Sequence, residues 1–513
     1  MLKYSLSDTT FLCATGLLLL SIWSKLRQRS KTPLPPGPRR LPIVGNIFQI
    51  AIFGSRLWET ASEWRKTYGD MIYLEIAGFP VLILNSHDVS MDLLSKRSSL
   101  YSSRPQLVMP ILAGWEWTTL SLPYGEKLRK QRAILQKFFS SSGVLNYKDV
   151  HQQNCHAFLQ GLLGSPEGYD RQIHHFVASI LMMNAYGHEV QPENDPYLQL
   201  GEESARTLID HFGYLYLDFI PWIQLLPEWF PGTGFWKFVK IGRELSNRLR
   251  YELLALTKKK MEEGTAKESM TTIFLGDIAS NHSTNYGAEE GEFANAAAMV
   301  FLAGQDTTKT AIMNLIHAVL KHPEALRRAQ EELDRVIGTD RLPTCEDRDN
   351  LTYVNAMCME VLRWGVPGPL GVPHRTTEED EYQGYRIPAG TLVLSNIWGI
   401  ANNPDIYPDP LEFKPERWLP GGVNFKSTRP MDFVFGYGRR ICPGRIWADD
   451  LLFIFAASLL ATFNIERAVD ASGKPIPLNK HDEFSILRTL GPSKCKIEPR
   501  SERAACLIRE AIE

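Results

Sequence analysis

A cysteine at the end of a glycine-rich loop is the strongest chemical signal in this chain. The loop Phe435-Gly436-Tyr437-Gly438-Arg439-Arg440-Ile441-Cys442-Pro443-Gly444 runs directly into an apolar segment of helical period. Its glycines permit positive-φ turns and close backbone approach, which a loop wrapped around a cofactor's sulfur ligand needs. Cys442 precedes a helix amino terminus, where free N–H groups and the helix dipole stabilise a thiolate, and Arg439, Arg440 and Arg445 add positive charge. Taken alone, the same residue also fits a buried, inert thiol in a tight turn. Two further segments carry chemistry. Ala303-Gly304-Gln305-Asp306-Thr307-Thr308 falls inside a long helical pattern, and glycine there costs about 1 kcal/mol relative to alanine, so its presence asks for a reason. Thr307 and Thr308 could instead bond back to earlier carbonyls of the helix. Glu360-Val361-Leu362-Arg363 places an acid and a base at i and i+3 on one helical face, and Pro415-Glu416-Arg417-Trp418 follows further along.

Together these segments resemble the cytochrome P-450 superfamily of haem-thiolate monooxygenases, whose cysteine loop reads F-x-x-G-x-R-x-C-x-G. The chain meets that pattern at Phe435, Gly438, Arg440, Cys442 and Gly444. The resemblance covers nearly the whole chain, because the other motifs occur in the family's order and at compatible spacing. It implies a fold that is mainly α with small β-sheets, built as one large haem domain. The cofactor implied is haem b, iron protoporphyrin IX, with Cys442 as axial ligand to the iron and Gly436 also in the enclosing loop. The Gly304 segment matches a groove for dioxygen, Thr307 the residue that helps protonate it, and Asp306 the acid that relays protons. Glu360, Arg363 and Arg417 match a buried structural triad behind the loop. Cations for two haem propionates are expected from Arg440, from His374 in Pro373-His374-Arg375, and from Arg104 in Ser102-Ser103-Arg104-Pro105. Arg129 matches the arginine of a W-R pair, although Leu128 stands where the family usually has Trp.

The activity implied is insertion of one atom of dioxygen into a C–H bond of a small lipophilic substrate, with epoxidation or desaturation by the same route. A thiolate ligand donates electron density that favours O–O cleavage. No nicotinamide or flavin motif occurs in the chain, so electrons must come from a partner: an NADPH-cytochrome reductase, with cytochrome b as a second donor. Lys127, Arg129, Lys130, Arg132 and Lys137 put a basic face on one helix, suited to an acidic partner. A haem-thiolate isomerase or dehydratase needs no external electrons and typically lacks an acid-threonine pair such as Asp306-Thr307. A non-catalytic haem-binding protein would use the same loop. Trp115 and Trp117, with Leu370 and Val372, lie in segments that cap the haem pocket in the family. The texture of the sequence is similar to fungal microsomal members of secondary metabolism, which implies a terpenoid or aromatic natural product as substrate.

These residues need helices to position them. Apolar periodicity predicts helices near 56–67, 125–140, 146–163, 199–212, 236–262, 292–320, 322–337, 351–364 and 444–462. Strand-like runs are short, at Met71 to Ile76, Val81 to Leu84 and Thr391 to Leu394. A long Pro- and Gly-rich stretch from Asn403 to Gly444 has no strong period, as functional segments of compact domains often do not.

The 513 residues carry 56 Lys+Arg against 58 Asp+Glu, a balance that excludes the electrostatic footprint of a nucleic-acid binder. Seven cysteines without a C-x-x-C pair support neither a disulfide framework nor a zinc ribbon. At the amino terminus, Thr9 to Ser24 are uncharged and largely apolar, and Lys25 to Arg40 hold six basic residues and no acid. This predicts a single-pass membrane anchor over 1–24, a basic and proline-rich hinge over 25–45, and the haem domain over 46–513. By the positive-inside rule the domain faces the cytosol, at the endoplasmic reticulum membrane.

Overall fold

The computed structural model of the chain describes residues 32–53, 56–280, 286–480 and 487–511. The expected anchor over 1–24 and the first part of the hinge lie outside the described residues. Among the described residues, no helix is long and apolar enough to cross a membrane.

The helices that frame the site are α1 (Leu57–Tyr68), α2 (Glu126–Phe139), α3 (Lys148–Gly164), α4 (Tyr169–Tyr186), α5 (Pro196–Asp210), α6 (Phe235–Glu262), α7 (Tyr286–Lys321), α8 (Thr352–Trp364) and α9 (Arg445–Thr462). Their starts follow local chemistry. At α5, Asp195 caps the N–H groups of Tyr197 and Leu198 at 2.9 Å each, and Pro196 supplies the preset φ of a first turn. The 36-residue α7 runs through the core. Around it one continuous apolar cluster joins Phe158 of α3, Phe176 of α4, Met357 of α8 and Phe453 of α9 to Phe301 and Leu315 of α7 itself.

Helix α4 and a second helix, Met270–Ser280, were not among the sequence expectations. For α4 the reason is burial of its second half. From Phe176 to Tyr186 only Ser179 and Met183 keep partial exposure, so that half has no polar face to mark a 3.6-residue period.

Among the described residues, eight short strands form three sheets. The largest has the order β1 (Met71–Ile76), β2 (Phe79–Leu84), β6 (Leu392–Ser395), β3 (His374–Arg375). The β1–β2 pair is an antiparallel hairpin, β2 and β6 run parallel with Val81 opposite Leu392, and β3 pairs antiparallel to β6. β4 (Asp380–Tyr382) with β5 (Tyr385–Ile387), and β7 (Phe463–Arg467) with β8 (Cys495–Pro499), make two antiparallel pairs. One stitch matters for the site: Arg375 N–H donates to Ser103 O at 2.9 Å, which brings the 101–104 segment against β3. Arg104 and His374 become neighbours through it.

Candidate active site

The cysteine loop is held by its own backbone. Cys442 N–H donates to Phe435 O at 2.8 Å, Arg440 N–H to Tyr437 O at 3.1 Å and Ile441 N–H to Gly438 O at 3.2 Å. Gly438 has φ +54, and a Cβ there would fall 2.2 Å from Leu94 O, so only glycine lets the loop seat against the 91–96 turn. Cys442 is half-buried just before α9. Burial pushes its thiol up, while the Gly444 N–H and the charges of Arg132 and Arg445 pull it down. Two of the three arginines expected to act on it do not. Arg439 is exposed with its guanidinium 4.7 Å from the Tyr124 ring centroid. Arg440 turns away to donate to Ser102 O (2.6 Å), Thr119 O (3.0 Å) and Leu122 O (2.6 Å).

Arg440 there joins a buried cluster. Arg104 donates to Val372 O at 2.8 Å and Pro373 O at 2.7 Å, and its buried Nε has no partner. His374 Nδ1 lies 2.8 Å from Tyr101 O. Burial lowers all three, Arg440 to about 9 with Arg132 adding to the effect, and Arg104 well below its usual range with help from Arg440. His374 is also held well below its usual range by burial and by the Arg104 charge. Among the described residues no Asp or Glu pairs with any of them.

The fourth cation is Arg132, which the sequence reading placed on an exterior basic face, and not Arg129. Arg132 Nη2 donates to Ile441 O at 2.8 Å, the carbonyl next to Cys442. Arg129 is exposed, 5.9 Å from the Tyr124 ring centroid. Periodicity could have found this. Leu128 and Leu135 are buried on α2, and Arg132 lies four after one and three before the other on the same stripe, whereas Arg129 falls beside it.

On the other side, α7 opens in its middle. Ala303 and Thr307 are exposed four residues apart, while Phe301, Leu302, Gln305 and Thr308 around them are buried, so free space lies against that face. Thr307 Oγ1 donates back to Ala303 O at 2.8 Å. Gly304 does not face that space: a Cβ on it would meet Leu181 Cδ2 of α4 at 2.8 Å, so the glycine allows two helices to approach. Asp306 is half-buried, and burial raises its carboxyl against the pull of Lys309. Trp115 and Trp117, expected over the pocket, are core residues instead, with Trp117 Nε1 donating to Ser246 Oγ at 2.8 Å. Val372 does stay open, at 41% exposure.

Behind the loop, Glu360 gathers Arg363 Nη2 at 2.7 Å and Arg363 Nε at 2.9 Å, Arg417 Nε at 3.1 Å, Trp418 Nε1 at 2.9 Å and Lys414 N–H at 3.0 Å. The remaining guanidinium N–H groups reach carbonyls of Ala401, Pro410, Glu412 and Pro408, and Asn424 Oδ1. This ties the irregular 406–424 segment to α8. Tyr407 and Trp418 share an apolar cluster with Phe433 and Tyr437, which passes the rigidity to the cysteine loop.

The arrangement fits haem. Three buried or half-buried arginines without a carboxylate, one with an orphaned N–H, beside a neutral imidazole suit a dianionic group; a half-buried thiol beside them suits its metal; open space along α7 suits a reacting face. Such a site defines a haem protein with sulfur ligation. Residues 35–494 match the family described as Cytochrome P450, and the chain belongs to it. "Cytochrome P450 monooxygenase COX2" of Coprinopsis cinerea is 39% identical over 491 residues, covering 95% of this chain and 93% of that protein. "Cytochrome P450 monooxygenase 176" of Postia placenta is 33% identical over 99% of this chain and 98% of its own length. "Cytochrome P450 monooxygenase ple1" of Rhodocybe pseudopiperita is 35% identical over 96% and 94%. The chain is accordingly a haem-dependent monooxygenase of fungal type.

Proposed function

We propose that this monooxygenase hydroxylates, epoxidises or desaturates a small lipophilic secondary metabolite, a terpenoid above all, using electrons from an NADPH-cytochrome reductase. The observation that carries the reading is the half-buried Cys442 in a loop held among arginines that have no carboxylate, in a chain whose α7 leaves Ala303 and Thr307 exposed next to the half-buried Asp306. When bound, haem supplies oxygen activation, favoured by an electron-rich thiolate. The chain supplies the rest. Cys442 Sγ holds the iron, and coordination deprotonates a thiol outright, reversing the upward push of burial. Arg104, Arg132, His374 and Arg440 hold the propionates. Thr307 Oγ1, now spent on Ala303 O, can turn its O–H toward the open space, and Asp306, raised by burial, keeps a proton available beside it. The acid-threonine pair favours this over an isomerase or dehydratase reading.

Membrane association is part of the proposal. Trp222, Leu225 and Trp229 are 61%, 81% and 80% exposed, and Phe219 of the same stretch meets the exposed Phe79 edge-on at 5.2 Å. An apolar surface of this kind suits a lipid interface at the endoplasmic reticulum and entry of lipophilic substrate. For the reductase, and for cytochrome b as a second donor, Lys127, Arg129 and Arg439 remain exposed near the loop, whereas Lys130 pairs with Glu126 at 2.8 Å and Lys137 with Asp277. The test is direct. Reduced protein under carbon monoxide should give the red-shifted Soret band of thiolate ligation, Cys442→Ser should lose it, and turnover of terpenoids should require NADPH, reductase and dioxygen together. A normal band in Cys442→Ser overturns the ligand assignment.

A further inference from the structure

Where α4, α5 and α7 meet lies a group of titratable side chains outside the site described so far. A Cβ on Gly201 would fall 2.0 Å from the Phe301 ring, so α5 lies directly on α7 at this point. The next residue, Glu202, is thereby carried over the turn of α7 that holds Gln305 and Asp306. Gln305 Nε2 donates to His174 O at 3.0 Å and ties α4 to the same turn, while Gln305 Oε1 is buried without a partner. His174 Nδ1 lies 3.3 Å from Glu202 Oε1, and the Glu202 side chain keeps 36% exposure. Glu202 and Asp306 are both half-buried, on adjoining helices, and solvent reaches Glu202.

The charges couple them. Burial raises Glu202, with Asp306 and Glu203 adding to it and Lys309 and Arg206 opposing. Burial also raises Asp306, and Lys309 opposes it. His174 is lowered to about 4 by burial, Lys309 and His175, with Asp170 opposing, and so is a neutral imidazole near pH 7. Two carboxyls that share one ammonium and repel each other hold a proton between them more readily than either alone.

We propose that Glu202 is the proton-entry residue for Asp306, with neutral His174 as the positioning residue that orients its carboxyl. The proposal rests on the reading of Asp306 as a proton relay. In each passage one proton enters the Glu202 carboxylate from solvent, one passes to Asp306, and one leaves Asp306 toward Thr307. Neither acid changes its charge over a cycle, and no electron moves.

The test uses haem-loaded protein with a NADPH-cytochrome reductase and reads two quantities: peroxide released per NADPH consumed, without added substrate, and the infrared carboxyl signals followed against pH without turnover. Glu202→Gln should remove one of two coupled carboxyl signals, slow the proton-dependent step about tenfold and raise the peroxide share. Asp306→Asn should remove the other signal and move the Glu202 titration to lower pH, because the like charge is gone. Glu202→Asp should recover part of the wild-type peroxide ratio, and Glu203→Gln, which removes only a neighbouring charge, should keep both carboxyl signals. A Glu202→Gln protein with the wild-type ratio and an unmoved Asp306 titration overturns the proposal while leaving the relay reading intact. A wild-type ratio in both Thr307→Ala and Asp306→Asn overturns the relay reading itself. Should Glu202→Gln not load haem, the Glu202 signal in Asp306→Asn and His174→Gln decides, and no movement in either overturns the proposal.

Discussion

Among the described residues, the buried groups around Glu360 and those around Arg440 differ in one respect: the first are completed by their own side chains and the second are not. Around Glu360, two arginines, an indole and a backbone N–H converge on one carboxylate, and the guanidinium groups left over reach carbonyls. Around Arg440, the neighbours are two more arginines and a neutral imidazole. Arg104, Arg132 and His374 depress one another or are depressed by burial, and Arg104 Nε answers to nothing. A buried charge without a counter-charge costs several kcal/mol, so a native chain keeps such a cluster only where something else completes it. The first cluster therefore belongs to the fold, and the second suits a dianionic ligand. The contrast separates stability from cofactor affinity within one protein.

The comparison breaks most sharply at Glu360. Glu360→Ala strands two buried guanidinium groups and should cost about 3–5 kcal/mol, yielding little folded haem protein. The denaturant midpoint and haem content of the purified variant measure it, and a wild-type midpoint would refute the closed network. Arg440→Met should behave oppositely. Without haem its midpoint should hold or rise, since a buried unpaired charge is gone, whereas haem should transfer to excess apomyoglobin about tenfold faster. A loss of stability without haem would place Arg440 with the first cluster.

Acid should sharpen the same distinction. His374 titrates at 6.5 when unfolded and well below that in the folded chain, so below pH 6.5 the unfolded state binds more protons. Its contribution is present above pH 6.5 and is lost as pH falls. His151, lowered to about 3, and His174, His211 and His317, each lowered to about 4, add a common background. Stability measured between pH 7 and 4 should fall less steeply in His374→Gln, and less steeply with haem bound, because propionates raise the His374 pKa. The smallest effect should be at Arg129: Arg129→Ala is expected to leave haem transfer unchanged, while Arg132→Ala accelerates it. Equal effects would erase the inward and outward distinction on α2.

Much of this was legible before any tertiary contact was known. The predicted helices of α1 to α3 and α5 to α9 were found, as was the one expected at 322–337 (Pro323–Val336), with ends shifted by up to six residues, since their apolar stripes repeat within a few turns. The cysteine loop was readable because glycines and arginines at fixed offsets are a local signature. Three features were not. The second half of helix α4 lacks a polar face and so lacks a period. Trp115 and Trp117 are buried by α6 and α7, which lie far along the chain. Arg132 is marked only by the helical stripe it shares with Leu128 and Leu135, whereas the family's W-R pair points to Arg129.

By itself the sequence determined the haem-binding class, the cysteine, the helix inventory and the Glu360 pair, because turn chemistry and helical spacing act over a few residues. Only the tertiary structure decided which arginines turn inward, that Gly304 serves packing against Leu181, and that His174 meets Glu202 at the turn of α7 before Asp306. Whether a buried charge has a partner depends on which distant elements share its low-dielectric surroundings, and that is a property of the packed chain rather than of any segment within it.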